Sequence, residues 1–100
     1  MAQRQTLTVV IPVFKFEKFI KPTMDSITWC DEVIIVDMFS TDRTKEICTA
    51  YPNCRFIERK DYIYGNVNFG IQSANSTWIM RLDSDEVVTD ELRASVEKVL

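Results

Sequence analysis

The chain has 100 residues, 46% hydrophobic and 27% charged, with a net charge of −3. That profile allows one globular domain with its own core and gives no basis for nucleic acid as a partner. No histidine is present, which excludes imidazole catalysis and His-ligated zinc and leaves carboxylates, Lys, Tyr or Cys for any proton transfer.

The three cysteines, Cys30, Cys48 and Cys54, lack C-x-x-C spacing and are odd in number, so they read as small buried thiols in a reducing compartment. Met1–Gln5 has no apolar signal core, and no run approaches a membrane span. A cytoplasmic location is expected.

Leu7–Val13 is a short β-branched run and predicts a buried strand. Phe16, Phe19, Ile20, Met24 and Ile27 recur at helical spacing, and Pro22 either kinks that helix or marks its first turn. Val33–Val36, ending at Asp37, predicts a second buried strand. Ser40, Thr41 and Asp42 are good N-cap types for a helix from Thr44 to Ala50, which Pro52-Asn53 breaks.

Arg55–Glu58 predicts a third strand, and Arg59–Tyr64 a polar, aromatic loop. Val67, Ile71 and Ala74 line one face of a helix ending at Asn75-Ser76. Thr77–Leu82 reads as a fourth strand. Thr89 caps a last helix with the apolar stripe Leu92, Val96, Val99 and Leu100. The alternation predicts the α/β class: a three-layer α/β/α domain on a mostly parallel sheet, Rossmann-like.

Three chemistry-bearing segments then fall at strand ends, on one edge of such a sheet: Pro12-Val13-Phe14, Asp37 to Asp42, and Asp83-Ser84-Asp85-Glu86. That edge is where open α/β sheets bind ligands. Carboxylates one residue apart repel unless a cation lies between them, and hard oxygen donors favour Mg²⁺ or Mn²⁺. The alternative is a strand-to-helix turn whose acids favour the next helix's N-terminus.

Val9 to Phe14, Glu32 to Thr44, Asn68-Phe69-Gly70 and Trp78 to Glu86 together resemble the N-terminal, nucleotide-sugar-binding half of family 2 glycosyltransferases, which have the GT-A fold. The segment Asp37-Met38-Phe39-Ser40-Thr41-Asp42-Arg43-Thr44 and the Asp-x-Asp-Glu are similar to the bacterial lipopolysaccharide-core glucosyltransferase branch. The resemblance implies a nucleotide-diphosphate sugar donor, commonly UDP-linked, and a divalent metal, Mn²⁺ or Mg²⁺.

It implies that Pro12 and Phe14 line the base pocket, that Asp37 bonds the uracil ring, and that Asn68 braces the donor pocket. Asp83 would approach the ribose or the metal, and Asp85 would bind the metal. Lys15 stands where many members have Asn, Met38 where many have Asp, and Val67 where Arg is frequent. The family's catalytic base and acceptor site belong to a second half, so residues 1–100 are expected to be a single donor-binding domain, a truncated transferase lacking the acceptor half.

Acceptors in that branch are lipid-linked or saccharide, which leaves contact with the inner face of the membrane open. The competing expectation is a non-catalytic nucleotide-binding or interaction module that self-associates or docks on a partner domain. A nucleotidyltransferase is disfavoured because no Gly-rich loop follows the first strand.

Overall fold

The computed structural model describes residues 4–100. Met1, Ala2 and Gln3, part of the stretch read above as lacking a signal core, lie outside it. Eight elements alternate: β1 (Leu7–Val13), α1 (Ile20–Asp25), β2 (Glu32–Asp37), α2 (Thr44–Thr49), β3 (Cys54–Glu58), α3 (Ile63–Ser73), β4 (Trp78–Arg81) and α4 (Asp90–Val99). The strands form one sheet in the order β3-β2-β1-β4, and every pairing is parallel.

All seven residues of β1 are buried, as a central parallel strand covered on both faces requires. Strand alternation divides its side chains between two layers. Val9, Ile11 and Val13 join Val33 and Ile35 against Ile20 and Met24 of α1 and Cys48 of α2, with Val96 and Leu100 of the last helix packed on the same cluster. Val10, Ile34 and Val36 form the opposite layer, with Ala74 packed against them. On that side Gly70 of α3 comes so close that a Cβ there would lie 2.5 Å from Val10 Cγ1. The expected three-layer arrangement is present.

Several boundaries differ from the sequence expectation. The first helix begins at Ile20, not near Phe16, and Pro22 lies in its first turn. α3 begins inside the expected loop, at Ile63. Its buried residues are Asn66, Val67 and Gly70, and Ile71 is exposed. In α4, Thr89 caps as expected by accepting from the Leu92 amide at 3.1 Å, but Leu92 and Val99 remain exposed.

Cys30, Cys48 and Cys54 are free. Burial pushes the first two thiols up to about 12 and the third to about 11. Among the described residues, no helix is long and apolar enough to cross a membrane.

Candidate functional site

Parallel pairing puts the carboxyl ends of all four strands on one edge, and the chain reverses its direction of travel across the sheet between β1 and β4. Ligand crevices form at such a switch point. The loops that meet there are tied together by a specific set of hydrogen bonds. Three consecutive amides after β1 are received by side chains after β2: Lys15 N–H by Ser40 Oγ at 2.7 Å, Phe16 N–H by Thr44 Oγ1 at 2.9 Å, and Glu17 N–H by Asp42 Oδ2 at 3.2 Å.

Asp42 also accepts from the Thr44 amide and hydroxyl. Burial pushes its carboxyl up, but the bonds from Thr44 and Glu17 outweigh this and hold it below the ordinary range. The N-cap of α2 is Arg43, with no side-chain cap bond. Of the cap types read from the sequence, Ser40 and Asp42 act instead with Thr44 as the clamp that shapes the β1 loop. Asp37 is 1% exposed, and the amide and hydroxyl of Ser40 donate to its two oxygens.

Beside this clamp lies a cavity of about 240 Å³. Pro12, Val13 and Phe14 from the end of β1 line it together with Met38 from the β2 loop. Phe16 of the β1 loop, Ile63 and Asn66 of α3 and Ser84 of the β4 loop complete it. Pro12 and Phe14 thus share one cavity; Asp37 is not among its lining residues and lies buried next to Met38, which is.

Asn68 is exposed on α3 and is not among the lining residues. The asparagine at the cavity is Asn66, two positions earlier. Residues two apart on a helix point to nearly opposite sides, so only one of the pair can face the sheet. Asn66 is buried; its Nδ2 donates to the Arg59 carbonyl and its Oδ1 accepts from the Arg59 guanidinium, both at 3.1 Å. Arg59 further pairs with Asp61 at 2.7 Å and lies 4.7 Å from the Phe69 ring centroid. The polar character of Asn66 amid Val67 and Gly70 was the signal available in the sequence.

Asp83 and Asp85 are exposed at the end of β4. Glu86 folds back to accept the Asp83 amide at 2.7 Å while the Asp83 carbonyl accepts the Glu86 amide at 3.0 Å, so its carboxylate braces the turn. The Ser84 carbonyl is held by the Thr23 hydroxyl of α1 at 2.9 Å. Among the described residues, no three Cys, Asp or Glu side chains converge on a metal-sized site. Two exposed carboxylates nevertheless suit Mg²⁺ or Mn²⁺, which bind through one or two carboxylates when phosphate oxygens and water complete the shell. The donor set fits a cation shared with a diphosphate, not one caged by protein alone.

The sequence profile described as Glycosyl transferase family 2 matches residues 8–99. The chain belongs to glycosyltransferase family 2. This family 2 domain is 31% identical over 99 residues to the SPbeta prophage-derived glycosyltransferase SunS of Bacillus subtilis (strain 168), covering 94% of this chain and 23% of SunS. It is 25% identical over 105 residues to the lipopolysaccharide core biosynthesis glycosyltransferase LpsC of Rhizobium meliloti (strain 1021), covering all of this chain and 39% of LpsC. The chain thus spans well under half the length of these relatives, and LpsC agrees with the lipopolysaccharide-core resemblance.

Among solved structures, S. aureus TarS 1-349 in complex with UDP superposes with a TM-score of 0.78 at 23% identity, over 91% of this chain and 31% of TarS. Glucosyl-3-phosphoglycerate synthase from Mycobacterium tuberculosis, in complex with Mn²⁺, UDP and glucosyl-3-phosphoglycerate, gives 0.64 at 24% identity, over 80% of this chain and 33% of the synthase. These likenesses establish the GT-A, Rossmann-like fold.

Proposed function

We propose that this domain binds a nucleotide-diphosphate sugar, UDP-linked, with a divalent cation, and presents it for transfer to an acceptor hydroxyl. The observation that carries the reading is the cavity at the switch point, lined by Pro12 and Phe14 and by Ser84, the residue between Asp83 and Asp85. The base would enter between Phe14 and Ile63. Asp37 would accept its ring N–H: a carboxylate oxygen offers about two acceptor positions, and Ser40 uses one on each. Asp83 would meet the ribose or, with Asp85, the cation.

When bound, the cation supplies positive charge to a diphosphate leaving group as the glycosidic bond breaks. The UDP in the TarS complex and the Mn²⁺ and UDP in the synthase complex support this choice of ligands. The acceptor, a saccharide or a lipid-linked one, and a cytoplasmic location at the inner face of the membrane are part of the same proposal.

The test is calorimetric titration of UDP and UDP-glucose, with Mn²⁺ and with EDTA, on this chain and on Asp85→Ala. Binding strengthened by Mn²⁺, with that gain lost in Asp85→Ala, is the expected result. Absence of binding under every condition would assign Asp83 and Asp85 to the turn alone.

A second reading, a donor-binding module that docks on a partner, is favoured by one observation. An apolar groove of about 210 Å³ runs along the edge strand, between Trp78 and Ile79 of β4 and Val96 and Val99 of α4. Donor binding with no transfer to any supplied saccharide, together with self-association in size-exclusion chromatography, would select it.

A further inference from the structure

Two arginines flank the start of α3, and their surroundings differ. Arg59 is committed: it pairs with Asp61, bonds Asn66 and lies over Phe69. Arg81 is not. Its Nη2 lies 3.4 Å from Asp83 Oδ1, with the two side chains 41% and 55% exposed, and its Cζ lies 5.9 Å from the Tyr64 ring centroid. Met80, the preceding residue of β4, packs on the α1 side of the sheet. Alternation therefore places Arg81 on the α3 side, where Ile63 and Asn66 line the cavity.

Building on the donor-site reading, we propose that Arg81 is a built-in counter-ion of Asp83, displaced by the divalent cation, that serves the donor's diphosphate when no cation is bound. The physical basis is competition. A guanidinium beside Asp83 lowers the demand of that carboxylate for a second cation and repels one electrostatically, yet attracts the phosphates of a nucleotide. The pair is exposed and singly bonded, so exchange costs little. Two effects of opposite sign follow from one side chain: Arg81 strengthens metal-free nucleotide binding and weakens the gain that metal confers. A guanidinium with only a structural role would produce neither.

The experiment measures UDP affinity in EDTA and in saturating Mn²⁺ for the wild-type chain, Arg81→Gln and Arg81→Lys. In Arg81→Gln, metal-free UDP affinity should fall about two- to fivefold, and the ratio of Mn²⁺ to EDTA affinities should rise by a similar factor, the scale of one exposed charge pair. Arg81→Lys, which keeps the charge, should return both quantities toward wild type. An unchanged or smaller ratio in Arg81→Gln, with wild-type UDP binding intact, overturns the role of Arg81 and leaves the donor site standing. Wild-type binding that is wholly absent in EDTA also counts against Arg81, because its guanidinium is then not holding the diphosphate. No UDP binding in either buffer overturns the donor site and this proposal together.

Discussion

Ser40 gives both of its donors to Asp37: the amide reaches Oδ2 at 2.7 Å and the hydroxyl reaches Oδ1 at 2.5 Å. The same hydroxyl accepts the Lys15 amide, so it relays between a buried acid and the loop after β1. Ser40→Ala removes the relay and leaves a buried carboxylate oxygen and an amide unpaired. The expected loss is about 1–3 kcal/mol of stability in chemical denaturation, with Ser40→Thr retaining most of it.

Lys15 and Phe39 adopt positive φ, 48° and 54°. Left-handed backbone costs a non-glycine residue roughly 1–2 kcal/mol, and Asn tolerates it better than most. Lys15→Asn should therefore raise stability by about 0.5 kcal/mol once the loss of the Lys15–Phe14 cation–π contact is included. A rise in the urea midpoint with unchanged m-value checks this.

Gly70 sets the distance between α3 and the sheet. Its added Cβ would fall 2.5 Å from Val10 Cγ1 and 3.2 Å from Val36 Cγ2, two side chains that are themselves fully buried. Gly70→Ala should destabilise by about 1–3 kcal/mol, the usual range for overpacking. In a Val10→Ala background the same change should cost much less, and a double-mutant cycle of thermal midpoints measures that coupling.

Two carboxyls couple the fold to pH. Burial raises Glu32, but the Asn75 amide, the Thr8 hydroxyl and the Asn75 side chain, with Arg55 nearby, hold it below the ordinary range; Asp42 is lowered by Thr44 and Glu17. Folded values below the unfolded ones, about 3.9 for Asp and 4.3 for Glu, contribute stability that is fully present above the unfolded values. It is lost as pH falls through the folded ones. Urea denaturation from pH 6 to 3 should show that decline. Glu32→Gln and Asp42→Asn should each flatten it while lowering stability at pH 7.

β1 and β2 were legible because each is a largely β-branched, buried run. The half-buried or exposed edge strands β3 and β4 were legible only as short apolar stretches between turns. Asp37 and Asp83 were legible because they close two of these stretches. The start of α1 was not. Phe16 and Phe19 keep helical spacing, but the amides of residues 15 to 17 are taken by Ser40, Thr44 and Asp42, a long-range competition that no local pattern announces. Asn66 was passed over for a related reason. Its burial depends on which side of α3 meets Val10, and a helix with glycine at the contact gives the periodicity little to work with.

The order β3-β2-β1-β4 has a last consequence, for cooperativity. The cavity's walls come from Pro12, Met38, Ile63 and Ser84, stretches that no local folding event brings together. A partly assembled chain can hold helices and even a strand pair, yet it has no pocket, because loop closure across the whole length must come first. Any molecule that fills the pocket therefore selects the complete sheet and lends its binding free energy to the entire domain. Amide hydrogen exchange in β2 and in β4 should then slow together on ligand addition, far from the atoms the ligand touches.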